Sequence, residues 1–175
     1  MSRTPVLAVA ALCLLLTACG PGKTAALPRP REPGPGDTGT ICHMDMAEHT
    51  GPKGQVFLSG GDGAAAEQPL WFSSVRDTFT WLLMDDGVEQ SVAAIWVNDM
   101  GHGADWKHPP AGAWVEARRA FFVVGSDKSA SMDATAEIVP FSDFASAQAF
   151  VAVHGGRITD FKHIDRAVLE SGAVR

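Results

Sequence analysis

Apolar residues recur along this chain with two spacings, one typical of strands and one typical of helices. In the first half, short apolar runs predict three strands, at 55–58, 69–72 and 92–97. Between the second and third strands, Val75, Phe79 and Leu82 recur at helical spacing and predict a helix that ends near Met84. A serine just before Val75 is a suitable N-cap for that helix. The predicted order is strand, strand, helix, strand.

The second half of the chain repeats this order. Apolar runs predict strands at 114–124, 136–141 and 157–161. A capped helix is predicted to run to about Val153, and the tail from Ile164 is predicted to form a short final helix. A shift of 69 residues places Phe72-Ser73-Ser74-Val75 on Phe141-Ser142-Asp143-Phe144. The pattern therefore predicts an α+β fold built by tandem duplication of a ββαβ unit.

The first 40 residues predict export and attachment rather than folded structure. Residues 1–18 contain Arg3 and an apolar run too short to cross a membrane, which is typical of a signal peptide. Small residues precede Cys19, as in the lipobox of bacterial lipoproteins, so Cys19 is the predicted lipidation site. Cleavage after Ala18 as an ordinary signal peptide is the alternative. Residues 19–40 are rich in proline, glycine and arginine and predict a flexible tether.

The remaining chain divides into three predicted parts. Residues 41–98 form the first unit, 99–112 a loop between the units, and 113–175 the second unit with its tail. The chain has 20 acidic and 14 basic side chains, a net charge of −6. Removal of residues 1–18 takes away one basic side chain, Arg3, and makes the net charge −7. An acidic chain disfavours nucleic acid and anionic lipid surfaces as partners, so membrane attachment is predicted to depend on the lipid.

Soft metal donors are concentrated just after the tether, in Cys42-His43-Met44-Asp45-Met46-Ala47-Glu48-His49. Cys13 lies in the predicted signal peptide and Cys19 is predicted to carry lipid, so Cys42 is the one cysteine left as a thiol. Outside the cytoplasm cysteines usually pair, so an unpaired thiol there indicates either burial or chemistry. Thiolate and thioether sulfur prefer Cu(I) to hard cations. In extended backbone the cysteine and both methionines would share one face, and we predict a Cu(I) site there.

Further candidate ligands lie in two loops, and they are Met100, His102, His108 and Met132. Each also has a simpler interpretation, because methionine commonly fills a core and an exposed loop histidine often has no role. Cys42 has a rival interpretation as a nucleophile, with His43 or His49 as its base. A structural zinc site is disfavoured, because the paired cysteine spacing of such sites is absent.

Taken in order, these motifs resemble those of the NosL family of copper-binding lipoproteins. The resemblance rests on Cys19, Cys42-His43-Met44, 49–55, Asp99-Met100, Trp106, 121–126, Met132, Pro140-Phe141 and Gly155-Gly156. It implies two ββαβ units, a monomeric periplasmic lipoprotein and no enzymatic activity. It also implies one bound Cu(I), which is delivered to apo nitrous oxide reductase for assembly of the copper–sulfide centre of that enzyme.

The resemblance also ranks the candidate ligands. It implies Cys42 and Met44 as the first copper ligands, followed by Met100 and then Met132. The chain departs from the family where the family usually has a small residue, an aliphatic residue and a glycine, at His43, Met46 and Asp133. The third ligand stays open among Met46, His43, His49 and His102.

We therefore predict a copper chaperone. Its lipid is predicted to anchor it at the periplasmic face of the outer membrane. Two alternatives stay open at this point. One is a thiol-dependent periplasmic redox enzyme that uses Cys42, and the other is a structural lipoprotein that docks on the reductase. The identity of the reductase as the partner comes from the resemblance alone.

Overall fold

The computed structural model describes residues 26–60, 68–84, 88–129 and 135–171, and these contain two antiparallel sheets. The first sheet has the strand order β2-β1-β3-β4. Its strands are β1 (Gly54–Leu58), β2 (Leu70–Phe72), β3 (Val92–Asn98) and β4 (Trp114–Glu116). Helix α1 (Val75–Leu82) follows β2, and the Ser74 side chain caps it by accepting from the backbone N–H of Asp77.

The second sheet has three strands in the order β6-β5-β7. These are β5 (Phe121–Val124), β6 (Val139–Phe141) and β7 (Arg157–Asp160). Helix α2 (Phe144–His154) lies between β6 and β7 in the chain, and Asp143 caps it by accepting from Ser146 N–H. A short helix α3 (Arg166–Glu170) follows.

The three strands of each ββαβ unit are paired in the same way, and the first sheet has β4 in addition. In each, the first strand of the unit is central and pairs with the second and third strands. Gly54 lies opposite Phe72 in the first sheet, and Phe121 lies opposite Phe141 in the second. The shift of 69 residues that relates Phe72 to Phe141 also relates the two helix caps. The predicted α+β fold with two ββαβ units is confirmed.

One predicted strand is two strands in the structure. The apolar run from Trp114 to Val124 is interrupted by a 3-10 turn at Ala117–Arg119, and Glu116 caps this turn by accepting from Arg118 N–H. β4, before the turn, pairs with β3 of the first sheet, whereas β5 is the central strand of the second. Hydropathy did not reveal the break, because Ala117 and Ala120 at the turn are themselves buried.

Helix α1 contacts both sheets and lies at the centre of the larger core. On the first sheet it packs on Val56, Ile95 and other inward-facing side chains. From the second sheet, Phe122 meets Phe79 of α1 edge to face, with 5.3 Å between ring centroids. The opposite face of the second sheet packs on α2 in a smaller cluster, which comprises Met100, Val123, Val139, Phe141 and Ala147.

The outer face of the first sheet is covered by the N-terminal part of the described chain. Pro28 O accepts from the indole N–H of Trp96, and Glu32 accepts from that of Trp114. Arg31 is bound through its backbone to the side chain of Gln55. Residues 28–40, which we assigned to the flexible tether from composition, therefore have backbone and side-chain partners on the sheet. Composition missed this because the partners are polar groups rather than apolar side chains.

Several predictions concern parts of the chain outside the described residues. These are the signal peptide at residues 1–18, the lipidation site Cys19 and the candidate ligand Met132. Among the described residues, no helix has the length and apolar content needed to span a bilayer.

Candidate metal centre

The cysteine-containing segment forms a tight loop rather than an extended strand. The two arms of the loop are joined by backbone hydrogen bonds from Gly39 N to Met44 O and from Met46 N to Asp37 O. His43 lies at the turn between them with a φ of 57°, in the left-handed region. A 3-10 turn at Met46–Glu48 follows at once. The predicted extended backbone is therefore wrong.

This loop gives its three sulfur atoms different environments. Met46 is fully buried, Cys42 is partly buried, and Met44 is 36% exposed. An extended strand would have placed all three side chains on one face, but the turn at residues 40–43 separates them. Met44 is thus the methionine of this loop that solvent reaches, and Met46 serves as a core residue.

The loop brings Cys42 close to His49. The Sγ atom of Cys42 lies 3.5 Å from Nε2 of His49, although the two residues are seven positions apart in the chain. Asp45 stabilises the intervening turn, because its carboxylate accepts from the backbone N–H of Ala47 at 2.8 Å. The side chain of His49 is almost entirely buried, at 4% exposure. A thiol and an imidazole at this distance can both contact one metal ion.

Gly39 makes room for the thiol. A Cβ atom at this position would overlap the Sγ atom of Cys42. Gly39 lies in the proline- and glycine-rich segment, where nothing in the sequence separates it from its neighbouring glycines. It is a residue of the site that sequence reasoning missed.

The environment of His49 favours its neutral form. Burial lowers the pKa of His49, and the nearby charge of Lys53 lowers it further, whereas Glu48 and Asp77 act in the opposite direction. Neutral imidazole is the form that binds metals, since a protonated ring nitrogen has no free lone pair. Sequence analysis left His49 as one of four open candidates for the third ligand, and the structure distinguishes it by its contact with Cys42.

The other predicted ligands have different neighbours. Met100 is buried in the smaller core cluster, and its backbone N–H donates to Pro140 O. His102 is exposed, and its Nε2 lies 3.5 Å from Asp143. The described contacts of both residues are thus with the second unit rather than with Cys42. In the part of the chain that the structure describes, no three His, Cys, Asp or Glu side chains converge as a closed metal site would require.

Comparisons with known proteins show the family to which the chain belongs. A sequence profile described as NosL matches residues 30–169. The copper-binding lipoprotein NosL of Achromobacter cycloclastes is 39% identical over 96% of this chain and 83% of its own length. The copper-binding lipoprotein NosL of Stutzerimonas stutzeri is 30% identical over 76% of this chain and 64% of its own length.

A solved structure supports the same relationship. The crystal structure of the copper chaperone NosL from Shewanella denitrificans superposes with a TM-score of 0.71 at 30% identity, and it covers 81% of this chain and 99% of its own. The profile match, from residue 30 to residue 169, includes both sheets and the loop that carries Cys42. This chain belongs to the NosL family.

Proposed function

We propose that this protein is a Cu(I) carrier and that Cys42 and His49 are its principal ligands. The observation that carries the proposal is the 3.5 Å separation of Cys42 Sγ and His49 Nε2. Two relatives are named copper-binding lipoproteins, and a structural relative is named a copper chaperone. Those names describe copper binding and a chaperone rather than an enzyme, and they support carriage over thiol-dependent catalysis by Cys42.

The separation of the two ligand atoms fits a bent arrangement about the ion. For metal–sulfur and metal–nitrogen bonds of roughly 2.3 and 2.0 Å, as in zinc sites, it corresponds to an angle of roughly 110°. A bent arrangement leaves a position for a third donor, and the exposed thioether of Met44 in the same loop is the one we assign. Met100 and Met132 remain weaker candidates, which metal spectroscopy on substituted proteins can test.

A site of low coordination suits transfer of the ion. An acceptor protein can add its own donors from the solvent side, where Met44 is exposed, before Cys42 releases the ion. We propose that this acceptor is apo nitrous oxide reductase. The reductase would use the copper to assemble its copper–sulfide centre. We further propose that this protein is periplasmic and that a lipid on Cys19 attaches it to the outer membrane.

The test of copper binding is the substitution Cys42→Ser. Competition against a Cu(I) chelator should show that affinity falls by more than about 100-fold, beyond the 10–100-fold typical of losing an outer-shell partner. Thermal unfolding of the metal-free variant should match that of the wild type, because a serine hydroxyl is close in size to the thiol. Unchanged affinity in a folded Cys42→Ser variant would refute the proposed function.

The test of delivery uses the copper-loaded protein and the apo reductase. Transfer predicts that the absorption of the copper–sulfide centre develops with loaded wild type and a sulfide source, and that Cys42→Ser supports far less of it. A structural docking lipoprotein would instead bind the reductase equally well with and without copper, and would not change the metal content of its partner.

A further inference from the structure

Lys53 is a buried lysine next to the proposed copper site. Its side chain is only 8% exposed, and its Nζ donates to the backbone carbonyl of His49 at 2.7 Å. The ion pairs among the described residues do not include Lys53. Burying an ammonium against one neutral carbonyl is unfavourable in free energy. Its place in the structure therefore calls for a role beyond stability.

The other end of Lys53 is fixed to the first sheet. Its backbone N–H donates to Oδ1 of Asn98 at 2.9 Å, and its carbonyl accepts from Asn98 N–H at 3.0 Å. Asn98 is the last residue of β3, so this pair extends the pairing of β1 with β3 by one residue. The backbone of Lys53 is thus hydrogen-bonded to the end of an interior strand of the sheet.

The side chain of Lys53 connects this end of the sheet to the Cys42 loop. His49 follows the 3-10 turn at Met46–Glu48 and has extended backbone, with φ −97° and ψ 135°. Its carbonyl is held by the ammonium, and its ring nitrogen lies against Cys42 Sγ. The bond from Lys53 is therefore one of the restraints on the His49 backbone, and removing it would loosen the position of the ring relative to the thiol.

We propose that Lys53 is a positioning residue of the copper site, which holds the His49 backbone so that Nε2 stays within reach of a metal ion on Cys42. This inference rests on the proposed function, because it concerns the second ligand of the proposed site. Groups that orient a metal ligand without touching the metal typically change affinity by about 10–100-fold when they are removed.

The experiment compares Lys53→Gln with a matched control. A glutamine is too short to bring a donor to the carbonyl, and it avoids a methionine, whose thioether would be a new copper donor. Lys107 lines the same cavity of about 190 Å³ as Lys53 and His49, but its side chain is exposed, so Lys107→Gln is the control. We expect Cu(I) affinity to fall by about 10-fold or more in Lys53→Gln and to stay unchanged in Lys107→Gln.

Two further readouts separate positioning from general destabilisation. X-ray absorption of the Cu(I)-loaded Lys53→Gln variant should show a weakened imidazole signal and a retained sulfur signal. In a double-mutant cycle, Lys53→Gln should cause no further loss of affinity once His49→Phe has removed the ligand. A full imidazole signal, or losses from the two substitutions that simply add, would overturn the assignment.

Folding of the variants is checked by thermal unfolding of the metal-free proteins. Should Lys53→Gln fail to fold, Lys53→Leu replaces it, because exchanging a buried charge for an apolar side chain is often neutral or stabilising. Unfolding of both variants would overturn the proposal by making Lys53 a residue of the general fold. Wild-type affinity in Lys53→Gln together with loss of affinity in Cys42→Ser would reject the role of Lys53 and leave the proposed function standing.

Discussion

The two units place very different side chains at the same position of the same topology. Gln55 and Phe122 are both on the central strand of their sheet, opposite Trp71 and Pro140, and both are fully buried. The amide of Gln55 accepts from Arg31 N–H at 2.9 Å and donates to Arg31 O at 3.0 Å. The ring of Phe122 instead packs on Phe79 of α1.

This difference shows how two units of the same topology come to differ in what covers them. The apolar position in the second sheet is covered by the other unit, so that face is used for the shared core. The polar position in the first sheet is covered by an additional segment, which hydrogen-bonds to it and then continues into the Cys42 loop. The proposed ligands Cys42 and His49 lie in the chain that precedes β1.

The largest expected effect on the free energy of unfolding follows from removing the ring of Phe122. Phe122→Ala deletes a fully buried ring between the second sheet and α1, and buried Phe→Ala substitutions cost about 3–5 kcal/mol. Chemical denaturation should show a loss of that size. Cu(I) affinity of the folded fraction should not change, because the site lies with the segment on the other sheet.

Phe144→Ala is the matched control for this prediction. Phe144 belongs to the same unit and contacts the ring of Phe121, but it is 47% exposed. We expect it to change the free energy of unfolding by less than about 1 kcal/mol. Equal effects of the two substitutions would contradict the view that the Phe122 side of the sheet is the shared core.

A second asymmetry between the units gives the next prediction. Glu137, just before β6, accepts from the backbone N–H of Arg76 in the first turn of α1, so the second unit helps to cap the helix of the first. Burial raises the pKa of Glu137 to about 8, although its hydrogen bonds from Arg76 and Ile138 act against this. Between pH 5 and 8 the folded carboxyl therefore retains a proton that the unfolded chain has lost.

The sign of the resulting pH dependence is determined by that extra proton. Because the folded state binds more protons, stability should decrease as pH rises, by roughly 1.4 kcal/mol per pH unit, and level off above pH 8. Glu137→Gln should abolish this slope and keep an oxygen that accepts from Arg76. Urea denaturation of the wild type and of Glu137→Gln at pH 5, 6, 7 and 8 measures the difference. If the free energies of unfolding of the two proteins had the same dependence on pH, the raised pKa would be contradicted.

Hydrophobic pattern predicted both main helices and most of the strands. The helix that Ser74 caps and the helix that Asp143 caps were visible because a capping residue precedes a run at helical spacing. The break at Ala117–Arg119 was not visible, because buried alanines continue the apolar run through the turn. Local pattern reports whether a residue is buried, and it does not report which sheet buries it.

The site was less predictable than the fold. Residue chemistry pointed to Cys42 and its neighbours, but the pairing of Cys42 with His49 depends on a turn that places His43 in the left-handed region. Gly39 contributes by leaving space for the Cys42 thiol, and Lys53 contributes by donating to one backbone carbonyl. Neither feature has a signature in the sequence. Donor types can be read from a sequence, whereas their convergence needs the path of the backbone.

Removing the buried amide of Gln55 is expected to have an intermediate effect on stability. Gln55→Leu should leave the N–H and carbonyl of Arg31 without their partners, at a cost of about 1–3 kcal/mol. Hydrogen exchange should become faster in residues 28–46, and Cu(I) affinity should decrease because the Cys42 loop belongs to that segment. Gln68→Leu is the control, since Gln68 also contacts Arg31 but on the exposed surface. Equal protection of the segment in both variants would show that the amide of Gln55 does not hold it.

The smallest expected effect on the free energy of unfolding concerns the turn at His43 in the Cys42 loop. His43 has a φ of 57°, a conformation that costs most L-residues about 1–2 kcal/mol and that glycine adopts freely. His43→Gly should therefore stabilise the metal-free protein by up to about 1 kcal/mol in thermal or urea unfolding, whereas His43→Ala should not, since it keeps the Cβ atom. Both variants should bind Cu(I) as the wild type does, because the ligand facing Cys42 is His49. A matching loss of affinity in the two variants would instead make His43 a copper ligand and explain why this chain has an imidazole at a turn that suits glycine.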